Sequence, residues 1–244
     1  MTTKTLAVNI YSIDRLPNDI FRVRLQQTTE QLPSFYAGQY LIVQLPNQQQ
    51  CPLSIASAPE HYHNHDYQLE LHIQYLPNSE LSKQVIEYIQ QQKTLSITLP
   101  LGNCHLATIP NKPLVFIAAG TGFAQMKSML EHCFAQKHPY PLHLYWGARL
   151  SEQFYLKALP QQWAKENKIV FHPVVSDSAI EDEVYRSGLL IEAVHEDLAS
   201  IKDAFFYISG SPTMVYATFD GLISEGIAAD HVAADVFDYA PRKK

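Results

Sequence analysis

Glycine is scarce in this 244-residue chain: nine residues, about 4% against a usual ~7%. In so Gly-poor a chain, each glycine placed in a loop marks a backbone need. Cysteine is scarcer still. Cys51, Cys104 and Cys133 lie far apart and form no CxxC pair, so neither an iron–sulfur cluster nor a structural zinc has its usual ligand spacing. A reducing compartment is the simplest reading. Long apolar runs are also missing: the longest, residues 114–119, is far below membrane-spanning length, and no signal-peptide core follows Met1. The expectation is a cytoplasmic protein without a membrane partner. Positive charge is in deficit, with 18 Lys and Arg against 24 Asp and Glu and a net charge of −6. Without a basic stripe, a nucleic-acid partner lacks its usual source of affinity. The short tail Arg242-Lys243-Lys244 reads as a solvated end.

What is present is a globular composition, 46% apolar and 17% charged. That suffices for packed cores without disulfide staples, and the length allows one large domain or two smaller ones. Disorder, collagen-like repeats and disulfide scaffolds are excluded.

The pattern changes character near residue 110. Before it, period-two stretches predict strands over 6–13, 20–26, 39–45, 53–57, 68–75 and 94–99, separated by turns such as Pro17-Asn18-Asp19 and Pro46-Asn47. Short strands at this spacing suggest a small antiparallel barrel. A helix starting at Ser79 or Ser82 and ending at Ile89 carries Leu81, Val85 and Ile89 on one stripe. After Pro110-Asn111-Lys112-Pro113, predicted strands over 114–118, 142–146, 169–175, 204–209 and 232–236 alternate with helices over 123–136, 152–165, 189–198 and 212–224. Alternation of this kind implies a doubly wound parallel sheet, with ligands at the carboxyl ends of its strands. The expected division is a barrel over 1–108 and an α/β domain over 109–244.

Several glycines fall at those carboxyl ends. In Ala119-Gly120-Thr121-Gly122-Phe123 a buried strand, a Gly-rich turn and a helix start follow one another. Small residues there let backbone approach a ligand, and the helix N-terminus favours an electron-rich group. A tight turn with no ligand has the same residues, and the third glycine of the dinucleotide fingerprint is absent. Gly147-Ala148-Arg149 follows the next strand, with Ser151 expected to cap a helix, and Arg149 reads either as a ribose or phosphate contact or as a surface residue. The third turn is Ser209-Gly210-Ser211-Pro212, where Ser211 caps and Pro212 fits the first helical position. All three share one rim.

In the first half, Ser54 and Ser57 alternate along Cys51-Pro52-Leu53-Ser54-Ile55-Ala56-Ser57, where hydroxyls and strand amides suit a planar heterocycle as well as an ordinary edge strand. On the strand over 68–75, Leu69, Leu71 and Ile73 share one face and Glu70, His72 and Gln74 the other. His72 has no second ligand at metal-binding spacing, so no metal site is expected. Pro100-Leu101-Gly102 supplies another close-approach turn.

Together these motifs resemble the ferredoxin–NADP reductase superfamily, most closely its bacterial NAD(P)H:flavin oxidoreductases, including those that supply reduced flavin to luciferase. The resemblance spans nearly the whole chain and rests on Phe35-Tyr36-Ala37-Gly38-Gln39-Tyr40, Pro52-Leu53-Ser54-Ile55-Ala56-Ser57, Leu71-His72-Ile73, Pro100-Leu101-Gly102, Ala118-Ala119-Gly120-Thr121-Gly122-Phe123 and Tyr145-Trp146-Gly147-Ala148-Arg149. It implies a six-stranded antiparallel flavin-binding barrel followed by a parallel-sheet NAD(P)-binding domain, with hydride passing from nicotinamide C4 to flavin N5 across the cleft between them. Ser54 would hydrogen-bond near flavin N5 and O4, and Pro52, Leu53, Ile55 and Ala56 would line the ring. His72 and Ile73 would border its ribityl side. Gly120, Thr121 and Gly122 would hold nicotinamide and pyrophosphate, Gly210 and Pro212 would shape the opposite rim, and Arg149 would approach the adenosine half. Phe237 and Tyr239 match a region where relatives place an aromatic beside the flavin.

One position departs from the pattern: Cys51 stands where the family has an Arg that reaches the flavin phosphate, and Leu53 stands where it has Tyr or Phe. Without that charge-assisted contact, FAD, FMN and riboflavin are expected to exchange as substrates beside NADH or NADPH. A flavin-dependent monooxygenase would then receive the reduced flavin. Two other readings are an FAD-holding electron-transfer component of an oxygenase and a non-catalytic flavin carrier or sensor; the Gly120 and Gly210 motifs count against the second.

Overall fold

A six-stranded antiparallel sheet occupies the first part of the chain and a six-stranded parallel sheet the second, in a computed structural model that describes residues 2–29, 31–63, 67–177 and 184–242. The chain packs as two units, 1–107 with 127–136 and 108–126 with 137–244.

The first unit contains β1 (Lys4–Leu16), β2 (Ile20–Gln27), β3 (Tyr40–Gln44), β4 (Gln50–Ser54), β5 (Leu69–Gln74), α1 (Glu80–Gln91) and β6 (Thr94–Leu101). Its strand order is β4-β3-β6-β1-β2-β5. An antiparallel bridge from Ile55 to Leu71 joins the segment after β4 to β5, so the two edge strands meet and the sheet closes as a barrel. Alternate side chains fill the interior: Leu6 and Val8 of β1, Val23 and Leu25 of β2, Leu41 and Val43 of β3, and Leu95, Ile97 and Leu99 of β6 are all buried. The Ser79 hydroxyl caps α1 by accepting from the Ser82 amide at 3.3 Å. Val85, Ile86 and Ile89 face the core, whereas Leu81, expected on that stripe, is exposed.

The second unit contains β7 (Leu114–Ala119), the first turn of α2 (Phe123–Ala135), β8 (Leu142–Ala148), α3 (Ala158–Lys165), β9 (Val170–Val175), β10 (Arg186–Ser187), α4 (Leu190–Ile201), β11 (Phe205–Ser209), α5 (Pro212–Ser224), β12 (Val232–Ala233) and α6 (Val236–Tyr239). Its order is β10-β9-β8-β7-β11-β12. Central β7 is enclosed almost throughout, as a parallel strand covered on both faces must be. The winding reverses between β7 and β11, which is where an open α/β sheet offers a crevice at its carboxyl edge.

Three sequence expectations are corrected. The helix over 152–165 is a short 3-10 turn, Ser151–Gln153, followed by α3. Burial of Phe154 and Tyr155 against Trp146 draws the chain between them out of helical torsion. Ser151 is not the cap: the turn starts after Leu150, and the Gln153 side-chain oxygen accepts from the amides of Arg149 and Leu150 at 3.0 and 3.2 Å. The last strand stops at Ala233, and Val236 instead opens α6. At the tail, Arg242 pairs with Asp220 at 2.6 Å; Lys243 and Lys244 lie outside the described residues.

Candidate functional site

The segment after β3 turns its side chains unequally. Pro52 is exposed, Leu53 and Ser54 are partly exposed, and Ile55, Ala56 and Ser57 are fully enclosed. The side chains this segment leaves accessible are therefore those of Pro52, Leu53 and Ser54. Among the described residues the Ser54 hydroxyl has no protein partner. The Ser57 hydroxyl, by contrast, donates to the Gln68 carbonyl at 3.2 Å and accepts from the Glu70 amide at 3.1 Å. Cys51 points into the barrel core, where burial pushes its thiol up to about 11. A guanidinium placed there would enter an apolar interior, so the family's Arg has no counterpart at this position.

The polar face of β5 is also interior. Glu70 and His72 are buried, and only Gln74 is exposed, because α2 lays Lys127 against that face. Glu70 binds Arg24 at 3.1 Å, the His72 ring at 3.0 Å and Lys127 at 3.3 Å. Burial works against its charge, but the His72 hydrogen bond and the charges of Lys127, His72 and Arg24 outweigh it and hold the carboxyl far below the usual range. Burial likewise works against charge on His72 and lowers it, against the hydrogen bond and charge of Glu70, which raise it. His72 and Ile73 have almost no exposed surface.

At the carboxyl edge of the second sheet the three glycine turns follow β7, β8 and β11, which are neighbours. At Gly122 a Cβ would stand 2.3 Å from the Ser209 carbonyl oxygen, so the two turns touch through backbone. Gly120 has a φ of 54° with nothing within 4 Å of a would-be Cβ: left-handed backbone beside open space. The Trp146 indole donates to the Gly120 carbonyl at 3.0 Å and stacks on Phe123 with centroids 4.0 Å apart. Trp146 and Phe123 are both fully buried. Gly210 lies against Ala119 and Met214, and Ser211 caps α5 through the Met214 amide, with Pro212 in its first turn.

Gly147 has a different reason: the Leu190 side chain occupies the space of its missing Cβ, so this glycine serves the packing of α4. Arg149 is exposed and held by Asp177, its Nε donating to the carboxylate at 2.7 Å. Asp177 lies just past the end of the third strand of this sheet in chain order, β9. Gly102, at φ 95°, accepts through its carbonyl from the Gln39 side chain at 3.2 Å. Phe237 packs among Tyr216 and Phe219, while Tyr239 is exposed.

Away from this edge, His143 Nδ1 faces His172 Nε2 at 3.4 Å, and His172 Nδ1 lies 3.5 Å from Asp197, which also accepts from Tyr145 and Arg186. Burial, with the Arg186 charge, lowers His172 to about 4. Among the described residues there is no cluster suited to a metal ion.

These residues fit the two groups the sequence points to. Pro52, Leu53 and Ser54 offer a partly exposed strand with an uncommitted hydroxyl. The open space before Gly120, at the start of α2, suits an electron-rich group.

Residues 116–220 match the oxidoreductase NAD-binding domain family. The chain is 33% identical to an NAD(P)H-flavin reductase of Aliivibrio fischeri, over 88% of this chain and 91% of that protein. It is 34% identical to an NAD(P)H-flavin reductase of Vibrio harveyi, over 84% and 86%. The chain belongs to the NAD(P)H-flavin reductase family. Membership places it in the ferredoxin–NADP reductase superfamily, and the two-sheet fold agrees. The crystal structure of the Amycolatopsis cytochrome P450 reductase GcoB superposes with a TM-score of 0.83 at 25% identity, over 96% of this flavin-reductase chain and 69% of that one. Three landmarks were not anticipated from this family's motifs: Trp146 as a donor to the turn, Asp177 on Arg149, and Lys127 beneath β5. Trp146 lies within a quoted motif, on β8, and Asp177 just past the end of β9, whereas Lys127 gave only the signal of a polar helix position.

Proposed function

We propose that this protein is an NAD(P)H-dependent flavin reductase whose flavin exchanges with solution. The bound nicotinamide and flavin supply the chemistry, a hydride passing from C4 of the one to N5 of the other, with reduced flavin as the released product. The chain's own part is to bind, orient and exclude water. Ser54 offers its hydroxyl to the flavin N5 and O4 edge, Pro52 and Leu53 support the ring, and the Gly120, Gly122 and Gly210 turns receive the nicotinamide and its pyrophosphate. Residues 1–108 serve as the flavin domain and 109–244 as the NAD(P) domain.

The observation that carries exchange is the inward turn of Cys51 on a strand, Gln50–Ser54, that bears no cation. A lost charge-assisted contact is worth ~1.5–3 kcal/mol, roughly ten- to a hundredfold in phosphate recognition. Riboflavin should therefore compete well with FMN and FAD. Steady-state assays with NADH and NADPH against the three flavins test this, and nanomolar FAD binding with riboflavin hundreds of times weaker would refute it.

The similarity to a P450 reductase keeps a second reading in view, an FAD-holding component that passes electrons to an oxygenase. Yellow colour surviving purification favours that reading; NAD(P)H oxidation only with added flavin favours exchange. No helix among the described residues is long and apolar enough to cross a membrane. Three unbridged thiols support a cytoplasmic location, where a flavin-dependent monooxygenase is the natural consumer of the reduced flavin.

A further inference from the structure

Beyond Ser54 the chain leaves the ordinary ladder. The Ile55 amide donates to the Gln39 carbonyl at 3.1 Å and the Ala56 amide to the Glu70 carbonyl at 2.7 Å. The carbonyls of Ala56 and Ser57 are satisfied differently, by side chains from α2. Lys127 Nζ donates to the Ala56 oxygen at 3.1 Å, and the Ser128 hydroxyl donates to the Ser57 oxygen at 2.8 Å. All four residues are buried, so without these donors both carbonyls would lie in the interior unpaired. The Lys127 ammonium also pairs with Glu131 at 2.9 Å and with Glu70 at 3.3 Å. It therefore ties the strand's backbone to the Glu70, His72 and Arg24 network on β5. Helix side chains 71 positions away in sequence fix two consecutive peptide groups of the flavin strand.

We propose that Lys127 and Ser128 are positioning residues for flavin: by holding the Ala56 and Ser57 carbonyls they set the direction in which Ser54 presents its hydroxyl. The inference rests on the flavin-reductase reading and deepens it. Neither residue needs to touch the flavin. Ser54 lies two residues before Ala56 and is joined to these peptides through Ile55 alone. Position 128 admits a graded change, because the Ser128 hydroxyl makes one short bond in a closed space. Position 127 does not, since removing its charge leaves Glu70 and Glu131 facing each other.

The test compares Ser128→Ala, Ser128→Thr and Lys127→Met with the unaltered protein. Riboflavin binding is read from quenching of flavin fluorescence, which needs no turnover, beside KM for flavin, KM for NAD(P)H and the thermal midpoint. Ser128→Ala should raise the riboflavin Kd and flavin KM about fivefold, the worth of one hydrogen bond. KM for NAD(P)H should stay unchanged, and Ser128→Thr should restore flavin binding. Lys127→Met should act in the same direction more strongly; if it does not fold, the serine pair decides. The proposal is overturned if Ser128→Ala lowers the thermal midpoint while the riboflavin Kd and flavin KM stay within twofold. A different failure, unaltered protein that oxidises no NAD(P)H with any flavin, would remove the reductase reading itself.

Discussion

In the first unit, the strand carrying Ser54 ends in peptides whose carbonyls are taken by Lys127 and Ser128, each bond reaching across 71 residues of sequence. In the second, the Gly120–Gly122 turn depends on what is missing: with no Cβ at residue 122, the backbone settles against Ser209, and one indole holds the Gly120 carbonyl. One segment is held by added donors and the other by subtracted atoms. The two respond differently to change. A side-chain donor can be shortened, restored or replaced by a homologue, whereas a backbone contact as close as this admits no side chain at all.

The largest expected effect breaks the second region alone. Gly122→Ala sets a Cβ 2.3 Å from a backbone oxygen, and overpacking of ~1–3 kcal/mol should cut kcat/KM for NAD(P)H roughly 5- to 150-fold. Riboflavin binding, read from quenching of its fluorescence, should remain as in the parent; equal loss of both would abolish the contrast. Next, Ser54→Ala breaks the first region at its functional end. It should lower kcat about tenfold, the upper worth of one neutral hydrogen bond, while KM for NAD(P)H holds; unchanged turnover would show Ser54 misassigned. Trp146→Phe keeps the stack on Phe123 but removes the donor to Gly120, for a loss of about fivefold in kcat/KM for the nicotinamide. Steady-state rates on purified variants check both. The smallest effect belongs to Asp177→Asn. An exposed carboxylate on Arg149 opposes an additional phosphate, so its neutralisation should improve NADPH relative to NADH by about two- to threefold, less at high salt.

The two regions also differed in how much the sequence could say. Gly120, Gly122 and Gly210 stood out because so few glycines are present, and the chain order of strand, turn and helix is local. The helix over 212–224, capped by Ser211 and opened by Pro212, emerges with the same ends because its signals lie within four residues. Lys127 and Ser128 carried no such mark. On a helical pattern they are two polar positions, and only the fold shows that this face covers Glu70 and the carbonyls of residues 56 and 57. For the same reason the sequence left open whether the face bearing Glu70 and His72 is covered: alternation separates two faces but does not reveal what will cover each, and both residues are buried. Long-range packing also decided the helix expected over 152–165, where burying Phe154 and Tyr155 prevailed over helical continuity.

The three cysteines lead to a last consequence. Cys51, Cys104 and Cys133 are all buried, and burial pushes Cys51 up to about 11 and Cys133, with the Glu60 charge beside it, to about 12. At neutral pH these two are almost entirely thiols rather than thiolates, and the thiolate is the form that oxidants attack. Reduced flavin released into aerated solution reacts with dioxygen and yields hydrogen peroxide. An enzyme that produces such a flavin works in its own oxidant, and this one keeps its sulfur where peroxide finds little to react with.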